Sequence, residues 1–248
     1  MSAILAAVRD RAVDVWKQED ILGQSVQVMA GPLTVKQAIG VPDGNDFPIQ
    51  KGKEKLMEAV IGDARGQAFT DDFGTFSATL GEIAGLSLDS NFNRSVFVAA
   101  FNAAMRSLGR VDNTVHCKDC GPRDCAAKLP EYVRHSYGNP RITQVGFQPA
   151  MIEAMGKTFE LRVLDLDPDN VGQVRRGVLV EGEDTAAEAI EWAELLMVTG
   201  TTLANATIDD FIDAEGVGVT GAPVLFYGTT IAAACDLMGW NRFCPMST

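Results

Sequence analysis

Ile142-Thr143-Gln144-Val145-Gly146-Phe147, running into Gln148-Pro149-Ala150-Met151-Ile152, is the stretch on which the fold turns. The first six residues read as a strand. Pro149 then sits where the first turn of a helix tolerates proline, because that N–H needs no intrahelical partner. Downstream, the rhythm repeats. Phe159–Leu166 reads as a second strand, Glu194–Val198 as a third and Pro223–Tyr227 as a fourth, with Gly177–Val180 adding a short one. Near-continuous apolar strands separated by helical patterns predict a parallel sheet covered on both faces. In such sheets ligands bind beyond the carboxyl ends of the strands. That rule selects four loops: Gly146-Phe147-Gln148-Pro149, Asp165–Asn170, Thr199-Gly200-Thr201-Thr202 and Gly228-Thr229-Thr230.

Upstream the pattern differs. Residues 1–20 carry Ile4, Leu5, Val8, Ala12, Val15 and Trp16 at helical spacing. Ser25–Ala30 alternates like a strand and Gly31-Pro32 ends it. Residues 40–52 read as a loop, Lys53–Ile61 as a short helix, Gln67–Thr70 as a strand and Thr79–Leu86 as a helix. Residues 92–108 form the clearest helix, with Asn91 as the expected N-cap and Gly109 as the stop. The expected organisation is a small α+β unit over residues 1–90 and a Rossmann-like parallel-sheet α/β unit over 91–248.

The chain has 248 residues, 46% of them hydrophobic, and a formal net charge of −12. That balance repels phosphate backbones and anionic lipid heads, so neither nucleic acid nor a membrane surface is an expected partner. Arg9, Asp10 and Arg11 fall where an export signal keeps its apolar core, and no apolar run approaches membrane-spanning length. The expectation is a cytoplasmic protein without membrane insertion. Five cysteines in a reducing compartment argue against a disulfide framework.

Three of those cysteines lie in His116-Cys117-Lys118-Asp119-Cys120-Gly121-Pro122-Arg123-Asp124-Cys125. Thiolate and imidazole suit soft or borderline transition metals. A second C-x2-C or H-x3-H pair, which a structural zinc site requires, is absent. The motif therefore reads as metal ligands completed from elsewhere, as a reactive thiol, or as reduced cysteines at a helix start. Thr199–Thr207 offers small residues and hydroxyls after a strand, with Asn205 and Thr207 as further candidates; ordinary turn chemistry is the plainer reading. Asp165, Asp167 and Asp169 can accept hydrogen bonds from a ligand or lie in a solvated turn, and the spacing fails as an EF-hand. Gly216-Val217-Gly218-Val219-Thr220-Gly221 matches G-x-G-x-x-G but precedes a strand, whereas a dinucleotide fingerprint follows one. His135 sits near an expected helix end and reads as a surface residue.

These stretches together resemble domain of unknown function 364, the heavy-metal chelation family. The resemblance runs through Thr114–Cys117, Val145–Met151, Leu164–Asn170, Thr199–Ile208, Phe226–Thr230 and Arg242-Phe243-Cys244-Pro245, in order, over about residues 100–248. Gly62–Gly85 is similar to the family's companion domain, which has the fold of the enolase N-terminal domain. The resemblance implies an enolase-N-like unit packed on a Rossmann-like unit, a site at their junction, and a role in metal handling beside a metal transporter. It does not imply enolase activity, since no catalytic barrel follows.

The sequence-based expectation is a metal or metal-chelate binding protein, with catalytic turnover left open. His116, Cys117, Cys125 and Cys120 are the candidate metal ligands. Gly146, Phe147, Gln148, Pro149, Asp165, Asp167, Thr199, Gly200, Thr201, Thr202, Asn205, Gly228, Thr229 and Thr230 are the candidate ligand-binding residues, the threonine loop meeting an anionic or polar portion of a chelate. The rival is an enzyme acting on a small metabolite, with a nucleotide-like cofactor such as S-adenosylmethionine at the strand ends. A scaffolding partner of a transporter is the third reading. A homodimer is the base-rate expectation for assembly.

Overall fold

The computed structural model describes residues 2–28, 34–41, 48–51 and 54–248. Helix α1 (Ala3–Gln18) starts at Ser2, whose side chain accepts from the Leu5 amide, and it buries the six predicted apolar positions. Strand β1 (Ser25–Val28) follows; residues 29–32, the rest of the expected strand and its Gly-Pro end, lie outside the described residues. Helix α2 (Val35–Ile39) is fixed by a capping box between Thr34 and Gln37. The expected loop at 40–52 holds a 3-10 turn at Pro48–Lys51, and residues 42–47 and 52–53 fall outside the described residues.

The short helix expected over Lys53–Ile61 is corrected: Lys55–Ile61 is strand β2. It pairs antiparallel with β3 (Ala64–Thr70) from Lys55↔Thr70 to Ile61↔Ala64, turning at Gly62-Asp63. Apolar residues at 56, 57, 59, 60 and 61 satisfy neither period cleanly, and the ladder with β3 decides between them. Strand β4 (Phe76–Thr79) leads into α3 (Leu80–Ala84), where Thr79 and Glu82 form a second capping box. The antiparallel order is β3-β2-β1-β4.

Helix α4 (Asn91–Ser107) is capped by the Ser90 hydroxyl, one residue before the expected cap. It lies across β2 and β3. Gly66 makes this possible: a Cβ there would stand 2.1 Å from Ala103 N and 2.4 Å from Ala99 O. Phe97 and Phe101 of α4 pack on Trp16 of α1, with ring centroids 6.0 and 6.3 Å away.

Helix α5 (Gly121–Tyr137) begins inside the cysteine motif and ends near the exposed His135. The parallel sheet starts with β5 (Ile142–Val145), then α6 (Pro149–Gly156), with Pro149 at its start and Gln148 as N-cap. Strand β6 (Leu161–Leu164) follows, then a hairpin of β7 (Val174–Arg175) and β8 (Val178–Glu181). Helix α7 (Ala186–Trp192), β9 (Leu195–Thr199), α8 (Thr201–Asn205), β10 (Val224–Tyr227), α9 (Ala232–Met238) and β11 (Arg242–Phe243) complete the chain. The order is β11-β10-β9-β5-β6-β8-β7, parallel except for β7.

From β5 the chain moves outward through β6 and β8, then returns to place β9 on the opposite side of β5. The junction of β5 and β9 is therefore the topological switch point, where a crevice opens at the carboxyl edge. One apolar core is continuous from α1 and the antiparallel sheet through α4 to the inner faces of β9 and β10. No described helix is long and apolar enough to cross a membrane.

Candidate functional site

At the switch point Gly146 adopts φ +97°, and a Cβ there would meet Thr199 Cγ2 at 2.7 Å and Tyr227 Oη at 3.0 Å. Tyr227 Oη donates to the carbonyls of Val145 (2.7 Å) and Gly146 (3.0 Å), tying the ends of β5 and β10. Above these strand ends lies a cavity of about 870 Å³, walled on its far side by the antiparallel unit.

Most of the predicted loop residues line it. Gly146, Phe147 and Gln148 come from the end of β5, and Asp165 and Asp167 from the end of β6. Thr199, Gly200, Thr201, Thr202 and Asn205 follow β9, and Gly228 and Thr230 follow β10. Pro149 and Thr229 stand outside the lining. Pro149 is spent on opening α6, and Thr229 is fully buried behind the loop. The 216–221 glycine run sits in the loop before β10, away from the cavity, and its Gly216 backs onto Trp240.

Asp165 is held by its own loop. Its Oδ2 accepts from Phe147 N at 2.9 Å, and its Oδ1 accepts from Asp167 N at 2.9 Å and Asn170 Nδ2 at 3.2 Å. Burial nevertheless raises its pKa above the usual carboxylate range.

The cysteine motif divides. His116, Cys117 and Cys125 line the cavity, whereas Cys120 is exposed and absent from the wall. Cys244, from the loop after β11, joins them, near enough to raise the pKa of both buried thiols further. Burial is the larger cause, pushing Cys125 up to about 12 and Cys117 higher. His116 packs edge-on to Phe69 at 5.3 Å, and its backbone N donates to Gln67 Oε1 at 2.7 Å. Its Nδ1 is buried without a hydrogen-bond partner, and burial lowers its pKa to about 4, so the ring is neutral at pH 7. A neutral imidazole and thiols match the donor chemistry of soft and borderline metals. Among the described residues, no three His, Cys, Asp or Glu side chains are arranged to close around an ion.

The sequence analysis expected a site at the junction of the two units but named no residue of the first. Ile39, Ile49, Glu54, Phe69, Thr70 and Asp71 form the far wall. Glu54 is the most perturbed carboxyl: burial first, then the charges of Asp165, Asp71 and Asp167, raise its pKa to about 7. Its signal lay in a segment assigned the wrong secondary structure.

The fold and cavity define an α/β protein with a doubly wound sheet and a ligand-sized chamber at its switch point. Residues 131–232 match the family model of domain of unknown function 364, described as "Putative heavy-metal chelation". The match bears out the resemblance to this family over those residues. His116, Cys117, Cys120 and Cys125 precede the matched residues and Cys244 follows them. A crystal structure of a protein of unknown function from this family, from Pyrococcus horikoshii, is similar at 14% identity and TM-score 0.54, covering 92% of this chain and 79% of that one. Another, from Desulfitobacterium hafniense DCB-2, is 14% identical with TM-score 0.49, covering 74% and 72%. At 14% identity the likeness to the Pyrococcus horikoshii structure concerns the fold alone. A search of curated proteins found no match.

Proposed function

We propose that this chain binds a metal chelate in the cavity between its two units. The observation that carries the reading is the neutral imidazole of His116 in the same wall as Cys117, Cys125 and Cys244. Imidazole nitrogen and thiol sulfur are donors that soft and borderline metals accept. The family description of heavy-metal chelation supports a metal as what they meet. The volume favours a chelate over a bare ion: about 870 Å³ is in the range of organic ligand sites, roughly 300–1,000 Å³. The chelating molecule would supply the ligands that the chain does not.

In this reading one or two of His116, Cys117, Cys125 and Cys244 meet the metal, and the chelating molecule completes its coordination. Exposed Cys120 has no part in it. The threonine loop at 199–202 and the Asp165–Asp167 loop shape the organic portion. The raised thiol pKa values mean that binding releases protons, so affinity rises with pH. The protein purified anaerobically without a His-tag is analysed by mass spectrometry for metal, with a free-thiol count. About one equivalent of a soft or borderline metal is expected, lost in a Cys117→Ser/Cys125→Ser double variant and retained in Cys120→Ser. Metal uptake unchanged in the double variant overturns the reading.

A further inference from the structure

The charge of the chamber points to the chemistry of its organic occupant. Six carboxylates contribute to the wall: Glu54, Asp71, Asp165, Asp167, Glu183 and Asp210. Among the described residues no Lys or Arg side chain lines it. No three of these acids are arranged to close around an ion, and Glu54 lies within charge range of Asp71, Asp165 and Asp167. Phe69, Phe147 and Phe211 also line the cavity, and aromatic rings attract cations through their faces.

We propose that the organic molecule received by this cavity is a cation of metabolite size, bearing protonated amines on a hydrocarbon frame, with Glu54 as its principal counter-ion. An anionic ligand would add charge to a wall that already repels it. A point cation would find no converging set of acids. An extended amine meets several of these acids at once and places its methylenes against the rings. The inference rests on the cavity being the ligand site of the proposed function, but it does not require the metal. Glu54 faces Asp71, Asp165 and Asp167, and the buried hydroxyl of Tyr227 lies within reach of its charge. A carboxyl crowded in this way holds its proton at mildly acid pH and gives it up to an arriving cation.

The test is calorimetric titration of EDTA-stripped, metal-free protein with spermidine and with succinate, at fixed ionic strength. Saturable spermidine binding at one site is expected, with no binding of succinate. Glu54→Gln should weaken spermidine roughly tenfold, the loss of one charged hydrogen bond. Asp14→Asn, an exposed acid on α1, should change nothing. Spermidine should also bind more tightly at about pH 8 than at about pH 6, because Glu54 ionises between them while the amines stay charged. Absence of spermidine binding overturns the inference. So does preference for succinate, or spermidine affinity unaltered in both Glu54→Gln and Asp71→Asn, which would mark attraction to the acidic surface as a whole. Metal uptake without spermidine binding removes this inference and leaves the proposed function standing; spermidine binding without metal uptake does the reverse.

Discussion

Asn102 Oδ1 accepts a hydrogen bond from the backbone N of Ala233, 131 positions away, at 2.9 Å. The same amide donates through Nδ2 to the carbonyls of Gln67 (2.9 Å), Thr230 (3.1 Å) and Thr229 (3.2 Å). One fully buried side chain on α4 thus ties β3 of the antiparallel sheet to the loop between β10 and α9. Phe69 N, donating to Thr230 Oγ1 at 3.1 Å, adds a second tie at the cavity wall.

Replacing Asn102 with Ala leaves one buried N–H and several carbonyls without their partner. The Ala233 N–H left unpaired costs about 1–3 kcal/mol, so a loss of at least that size is expected, the Thr229 carbonyl keeping the Ala232 N–H. Urea unfolding of Asn102→Ala measures it. A loss under about 0.5 kcal/mol, the level of ordinary surface changes, would refute the pin.

Gly66→Ala tests the packing of α4 on β3. The added Cβ would meet backbone atoms at 2.1 and 2.4 Å, and backbone cannot rotate aside as a side-chain tip can. Overpacking of this kind costs about 1–3 kcal/mol and occasionally more. The expected result is a drop in the urea midpoint at the upper end of that range, against little change for Gly23→Ala, whose Cβ meets nothing within 4 Å.

The parallel sheet and its ligand edge were legible because they depend on local pattern. Apolar runs such as Leu195–Thr199 need only be buried, and strand-end loops follow from topology, so Thr199–Thr202 and Gly146–Gln148 could be read directly. The far wall was not legible in the same way. Glu54 reaches the cavity from the other unit, just before a strand whose apolar pattern fits neither helix nor strand cleanly. Cys120 and Cys117 are chemically identical in sequence, but the turn into α5 leaves one in solvent and the other in the wall. Cys244, near the end of the sequence, meets Cys117 and Cys125 through the parallel pairing of β10 and β11 and the mutual backbone hydrogen bonds of Val115 and Thr248.

That division of the thiols predicts an order of alkylation. Under native conditions iodoacetamide should modify exposed Cys120 first and half-buried Cys244 next. Cys117, Cys125 and Cys235 should resist, since burial both shields the sulfur and raises its pKa, and the thiolate is the nucleophile. Peptide mass spectrometry over time reads the order. Labelling of Cys117 or Cys125 as fast as Cys120 would contradict their placement in the wall.

Glu54 carries a pH signature in stability. Its folded pKa, about 7, lies above its ordinary value of 4.5, so the folded state holds the proton more tightly than the unfolded chain. Its contribution is therefore fully favourable below about pH 4.5 and is lost as pH rises toward 7. Glu54→Gln, which keeps the shape and cannot ionise, is spared that loss. In metal-free protein its stability relative to wild type should climb between about pH 4.5 and pH 7 and then level off. At 1.36 kcal/mol per unit the gain is on the order of 3 kcal/mol. Urea unfolding of both proteins across that range measures the difference. A difference that stays constant with pH would mean that Glu54 titrates as an ordinary surface carboxyl, and the crowded wall would lose its central member.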